Sequence, residues 1–399
     1  MPGRKESETS SAGSETEEQA ETIASDLVVT KYSAAAEIVN SVLKEVLANV
    51  KEGTEVAALC DLGDKLLKEK TDKVYKKEKN IQKGVAMPTC VSVDNCICHF
   101  SPLRSDPPVL LKTGNVVKVD LGAHIDGYVA TAAHTVVVGA SKDNKVDGKK
   151  ADVIRAAYDA MEIGIRMLRQ GTKNMDITEA IDKTASAYGV KPIENMISHS
   201  LERNKIDGEK MIIQNPDEKQ RSAMEKCTID KHEVYAIDVL FSTGPGKTKD
   251  MDARTTVFKR EDTQYSLKMK ASRVFFHDVV SKFGFMPFTL RAFEDEVKAK
   301  MGVVECERHG LLRPYQVLYE KEEEVVAQFK ATVLVMPSGL LKIAGLPLDV
   351  ESLNPTKKLE DEALLKTLNS SLKPKKKKPA TSGTAKKEEA PVAGDETKQ

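Results

Sequence analysis

The sequence predicts an α/β (α+β) body of two pseudo-symmetric halves, each running helix, helix, strand, between two charged tails. Three observations predict it. The chain matches itself at an offset of 118 residues (171 against 53, 238 against 120): Gly53-Thr54 falls on Gly171-Thr172, Asp64 on Asp182, and "VKVDLG" (117–122) on "YAIDVL" (235–240), with Asp120 over Asp238. A chain of 399 residues with 40% hydrophobic residues can bury a full core. Both ends, by contrast, are poor in large apolar side chains: residues 1–22 are acidic and 356–399 lysine-rich, so both are expected to be disordered, with 23–355 as the folded body.

The elements follow in order. "KYSAAAEIVNSVLKEVLANV" (31–50) sets Ala36, Ile38, Val39, Val42, Leu43, Val46 and Leu47 at helical spacing, "EGT" (52–54) breaks it, and a second helix runs from Glu55 to about Lys70. The same pair recurs as "KADVIRAAYDAMEIGIRMLRQGT" (150–172) and "DITEAIDKTASAYG" (176–189). Downstream of Asp120, Asp126-Gly127 forms a turn between extended runs, so that strand folds back as a hairpin. "VVAQFKATVLV" (325–335) alternates with period two: Phe329, Ala331, Val333 and Val335 share one face, while Gln328, Lys330 and Thr332 share the other, which read alone meets water. Asp120 and Asp238 each lie mid-strand between apolar neighbours, where an unpaired carboxylate is costly, so each needs a cationic partner.

Several classes are excluded by composition. No apolar run reaches the roughly 18 residues of a membrane span, and the polar, acidic N-terminus does not read as a secretory signal, which points to the cytosol or nucleus and to no membrane insertion. The cysteines at 60, 90, 96, 98, 227 and 306 are too scattered for a disulfide framework. Cys96 and Cys98, followed by His99, lack a second pair at zinc-finger spacing, so no zinc site is expected.

Five separated motifs carry a family likeness: "NCICHFSP" (95–102), "VKVDLGAHIDGYVATAAHTV" (117–136), "ISHSL" (197–201), "EVYAIDVLFSTG" (233–244) and "AQFKATVLV" (327–335). In order and spacing they resemble the type 2 methionine aminopeptidases, a likeness that implies the pita-bread fold. It also implies a site in which two Asp, one His and two Glu hold two divalent metals that activate water. Carried over by position, the resemblance puts the first Asp at Asp120, the His at His199 and the first Glu at Asp238. Where the family has its two bridging acids, this chain has Thr131 and Lys330; of two substrate-contacting histidines, one is His99 and the other falls on Asp207. The expectation is therefore no metal pair, no cofactor and no peptidase activity, with the Lys330 ammonium neutralising Asp120 and Asp238. The alternative is an active metalloenzyme with the reduced set Asp120, His199 and Asp238.

Within that group the chain resembles the catalytically silent, proliferation-associated, ErbB-receptor-binding branch, through "TIASDLVVTKY", "KEKNIQKGVAMPT", "DGEKMIIQNP", "MPFTLRAFEDE", "MGVVEC" and the lysine-rich tail. The resemblance implies proteins of growth control that associate with structured RNA, ribosomal RNA and ribosomes. It further implies a part in ribosomal RNA processing and translational control, and residence in cytoplasm and nucleus, including the nucleolus. Receptor cytoplasmic tails and transcription regulators are the alternative partners. The LxxLL box used by relatives to meet nuclear receptors is absent; "DEALLKTLNSSL" (361–372) lacks its leading leucine.

Three basic stretches are candidates for contact with RNA. They are the tail, with Lys373, Lys375, Lys376, Lys377 and Lys378; the run around Tyr75, with Lys76, Lys77 and Lys79; and a run interleaved with Phe258 and Tyr265, with Lys259, Arg260, Lys268, Lys270 and Arg273. Lysines near aromatics pair with phosphates and stack on exposed bases.

Overall fold

The computed structural model describes residues 22–78, 80–251 and 253–373. Two helices open the chain. Helix α1 (Asp26–Ala48) starts ahead of the periodic stretch because Val28 and Tyr32 also face the core, and α2 (Val56–Lys73) follows after Gly53 turns the chain at a φ of 78°. Strands β1 (Lys83–Val93), β2 (Val116–Ile125) and β3 (Tyr128–Val137) complete the first half. Asp126 and Gly127, at φ of 55° and 79°, make the tight turn between β2 and β3.

The second half repeats the plan with α3 (Gly148–Met167) and α4 (Asn174–Tyr188), the latter stopped by Gly189 in the left-handed conformation. Strands β4 (Ile197–Leu201), β5 (Met211–Ile213) and β6 (Val234–Ser242) follow. Then come β7 (Val257–Arg260), α5 (Lys270–Phe283), α6 (Glu296–Arg308) and β8 (Leu312–Pro314), before β9 (Val326–Met336) and β10 (Gly339–Ala344) return to the main sheet.

That sheet has nine strands in the order β1-β2-β3-β9-β6-β4-β5; β10 pairs with β9, and Lys191–Pro192 with β6. One core packs α1 and α2 on β2 and β3, and the other packs α3 and α4 on β6 and β9. The halves meet at β3 and β9, where threonines replace part of the backbone ladder. Thr332 Oγ1 accepts from Thr131 N at 2.9 Å and donates to Thr131 O at 2.8 Å; across the seam, Thr135 Oγ1 does the same with Gln328 N and O, at 2.8 and 2.7 Å. The β9 face that alternation alone would turn to water is interior: Gln328 and Thr332 are buried, and Lys330 is nearly so.

Two further parts depart from expectation. Residues 257–314 form a separate small layer with its own core of Phe258, Phe275, Phe288 and Phe293. Arg291 bolts this layer to α2: its guanidinium pairs with Asp61 at 2.8 Å and with Asp64, and it donates to Ser101 Oγ at 2.9 Å. The tail expected to be disordered from 356 instead begins as packed chain. Leu353–Asn354 pairs with Val146–Asp147, Asp152 accepts from Thr356 N and Lys357 N at 2.7 and 3.0 Å, Leu359 enters the second core, and α7 (Glu362–Leu368) lies on the same core through Leu364. The leucines at 359, 364, 365, 368 and 372 supply an apolar side that the high average charge of the segment conceals. Among the described residues no helix is long and apolar enough to cross a membrane.

Candidate functional site

The chemistry-bearing residues lie where the halves meet. Asp120 on β2 pairs in register with Ala133 on β3, Ala133 with Lys330 on β9, and Lys330 with Asp238 on β6, so four strands set one row across the sheet. Lys330 reaches over the small Ala133 to place Nζ 2.6 Å from Asp120 Oδ2 and 3.1 Å from Asp238 Oδ2. Gln328 adds a second donor, its Nε2 standing 2.9 and 3.2 Å from the two Asp238 oxygens. Burial alone would lower the Lys330 ammonium, but the two carboxylates hold it well above its ordinary value.

His199, on β4 beside Ala236 of β6, turns Nδ1 to within 3.1 Å of Ser200 O. Burial keeps its imidazole below the ordinary value, and the charge on Lys330 pushes the same way. Asp120 Oδ1 and Thr131 Oγ1 are buried without a hydrogen-bond partner among the described residues. A pair of divalent ions does not fit this set. The ammonium stands within hydrogen-bond distance of the oxygens that would bind them, and a lone hydroxyl is a poor bridging ligand. No three His, Cys, Asp or Glu side chains among the described residues gather in a way that could hold a metal ion.

The residues that the resemblance assigns to the substrate cleft have partners within the fold. His99, at a φ of 63°, sets Nδ1 3.1 Å from Gln316 O and its ring edge-on to Tyr315 at 5.1 Å. Asp207 is not free for a ligand: Lys259 Nζ lies 2.7 Å from both of its oxygens, and Arg313 pairs with it as well. Burial alone would raise the Asp207 carboxyl, but the hydrogen bonds from Lys259 and Arg313 bring it below the usual carboxylate range. Glu261 completes the group, 2.9 Å from Arg313 and 3.7 Å from Lys259.

That network corrects the reading of Lys259 as a residue for RNA: its side chain is 11% exposed and its charge is matched. Arg260 is also committed, with its guanidinium 4.4 Å from the centre of the Phe285 ring. Lys268, Lys270 and Arg273 are exposed at and just ahead of the start of α5. Lys76, Lys77 and Lys373 are exposed; Lys79 and Lys375, Lys376, Lys377 and Lys378 lie outside the described residues. Four residues at the site had not been singled out: Ala133, Gln328, Arg313 and Tyr315. Gln328 had a signal, because period two puts it on the same face as Lys330.

Comparison with known proteins places these features. Residues 30–264 match the model of metallopeptidase family M24. The chain is 44% identical over 357 residues to ERBB-3 binding protein 1 of Solanum tuberosum, with 88% of this chain and 89% of that one covered. It is 39% identical over 358 residues to proliferation-associated protein A of Dictyostelium discoideum, covering 90% and 92%. A curved DNA-binding protein of Schizosaccharomyces pombe is 40% identical over 353 residues, covering 88% and 92%. Among solved structures, that of a thermophilic Arx1 superposes with a TM-score of 0.82 at 34% identity, covering 88% of this chain and 100% of that one.

Proposed function

The chain belongs to metallopeptidase family M24, in the branch of the ERBB-3-binding and proliferation-associated proteins, and from that premise we propose that it is a non-enzymatic RNA- and ribosome-binding regulator of growth. On this reading it acts in ribosomal RNA processing and translation, on a pita-bread scaffold whose metal site has become an ion cluster. The observation that carries the loss of catalysis is Lys330 lying between Asp120 and Asp238. An aminopeptidase of this family type needs its metals to generate the attacking hydroxide. With an ammonium in their place the centre holds charge but supplies no nucleophile.

Nucleic acid is supported by exposed cations and by a relative's name. Lys76, Lys77, Lys268, Lys270, Arg273 and Lys373 are exposed, further lysines follow Lys373 in sequence, and a relative is named for binding curved DNA. Residence in cytoplasm and nucleus, including the nucleolus, belongs to the same proposal. A second reading, a scaffold for receptor tails or transcription regulators, is favoured by the ERBB-3-binding name of the relatives.

Three measurements test this. Metal analysis of the purified protein with a methionyl-peptide assay is expected to give neither stoichiometric metal nor turnover; both together would restore the enzymatic alternative. RNA affinity is expected to fall steeply between low and physiological salt, with log K changing by about −0.7 per log salt for each phosphate contact to single strands. Deleting residues 373–399 is expected to cost RNA and ribosome association; loss of protein partners alone would favour the second reading.

A further inference from the structure

Half of the large apolar side chains left exposed among the described residues fall in one short stretch, 269–304: Met269, Val274, Val280, Phe285, Val297, Met301 and Val304 are seven of the fourteen. Three of them form a line on α6, where Val297, Met301 and Val304 are 60, 54 and 50% exposed at spacings i, i+4, i+7. The opposite side of the same helix already packs on α5 through Ala299, Gly302, Val303 and Cys306. Contact there is close, since a Cβ on Gly302 would sit 2.4 Å from Phe275 Cβ. At about 100° per residue the exposed line is centred about half a turn from that packing face, so it takes no part in holding the layer together. A continuous apolar line of this kind on a soluble surface marks a docking site.

Charge identifies the occupant. On α5 and α6, Lys270, Arg273, Lys282, Lys298, Lys300 and Arg308 stand with four acids; Lys282 is paired with Asp278 at 3.4 Å and Lys298 with Asp295, just ahead of α6, at 3.0 Å, both as exposed surface pairs. Two of those acids turn inward: Glu296 accepts from Arg104 N and Ser105 N, and Glu305 from Lys268 N and Met269 N. Lys298 and Lys300 flank the apolar line on either side. We infer that the outer face of α5 and α6 receives an amphipathic helix from a protein partner, with an apolar stripe against Val297, Met301 and Val304 and Asp or Glu on its flanks. Valine and methionine offer RNA neither a hydrogen bond nor a stacking plane, so the line favours protein over nucleic acid. A second copy of this chain would bring like charges together, which disfavours self-pairing through this face.

The test uses the full chain and a labelled synthetic peptide of about five helical turns, with leucines at i, i+3, i+4, i+7 and glutamates on the flanks. Fluorescence anisotropy is expected to show saturable binding below about 100 μM that weakens with salt. The triple variant Val297→Gln, Met301→Gln, Val304→Gln, checked for an unchanged melting temperature, is expected to weaken it at least about tenfold while leaving affinity for a single-stranded RNA unchanged. Lys298→Gln with Arg273→Gln, which spares the apolar line, is expected to weaken it less and to flatten the salt dependence. Absence of peptide binding, equal binding of a lysine-flanked peptide, or a triple variant that loses RNA and not peptide would each overturn the inference. So would a wild-type dimer that the triple variant dissolves. Loss of RNA binding on tail deletion reads the proposed function independently of these outcomes.

Discussion

Ala133 is as necessary to the central cluster as the charges themselves. It stands between Asp120 and Lys330 in the same row, and its methyl group leaves the path along which the lysine stem crosses β3. Lys330→Met keeps the stem and removes the ammonium, leaving two carboxylates facing each other; the expected cost is about 3 to 5 kcal/mol in thermal or urea unfolding. A Lys330→Met protein that unfolds like the wild type would show that the cluster is not stabilising. Replacing all three charges, with Asp120→Asn and Asp238→Asn added, should recover most of that loss, because an apolar or neutral filling of a buried ionic group is often as stable as the group. The converse pair, Lys330→Glu with Thr131→Asp, should gain affinity for a divalent ion such as cobalt, measured by calorimetry. The charged groups of this site were legible in sequence: the internal repeat paired Asp120 with Asp238, and alternation isolated Lys330. Its depth was not. Alternation alone would turn Gln328 and Thr332 to water, because the groups that engage them, Asp238 on β6 and Thr131 on β3, lie far away in sequence.

At the scale of elements, what could be read depended on whether a helix shows one apolar face. α1 and α3 do, and the repeat that contains them emerged from spacing alone. α6 has apolar residues on two opposite sides and belongs to a layer whose phenylalanines come from four separate segments, so no single window reveals it. The family match ends at residue 264, ahead of both α5 and α6. Two predictions belong here. Gly302→Ala places a methyl group against Phe275 in the tight crossing of α5 and α6, and should cost about 1 to 3 kcal/mol by overpacking. Asp152→Ala removes the acceptor for Thr356 N and Lys357 N; amide exchange over residues 353–372 should accelerate, with β6 and β9 still protected. Uniform acceleration across both segments would mean that the C-terminal strap is part of the global unfolding unit and not a separable latch.

For the whole molecule, acid stability depends on buried groups in both halves and along their seam. His124 on β2 and His134 on β3 are buried, and burial lowers both imidazoles from 6.5 to about 4; for His124 the Asp126 carboxylate partly opposes this. Between those values the unfolded chain binds protons that the folded chain refuses, so stability is complete above about pH 6.5 and falls as pH drops toward 4. By pH 5 each histidine should have removed about 2 kcal/mol, at about 1.4 kcal/mol per pH interval. Lys330 has the opposite sign. Its folded value is raised, so its contribution is lost as pH rises through that value, and in acid it lasts only while Asp120, whose carboxyl burial raises, stays charged. Glu162, Asp207 and Asp126 are held below their ordinary values against the effect of burial, Glu162 by Lys342 and Arg166, Asp207 by Lys259 and Arg313, Asp126 by Lys31 and Arg203. They therefore destabilise only at lower pH, as protons displace their partners. Acid unfolding should accordingly show an early loss from the histidines and a later one from the carboxylates. His134 packs edge-on to Phe329 at 5.0 Å with Nδ1 unpartnered among the described residues, so His134→Phe can fill the site without a titrating group. Urea unfolding of wild type and His134→Phe from pH 7 to 5 should show a smaller pH dependence in the variant, the remainder coming from His124 and from His99 and His199, whose imidazoles burial also lowers. Equal slopes over that range would mean that His134 takes up its proton as readily in the folded protein as in the unfolded chain, so that the seam accepts the charge without opening.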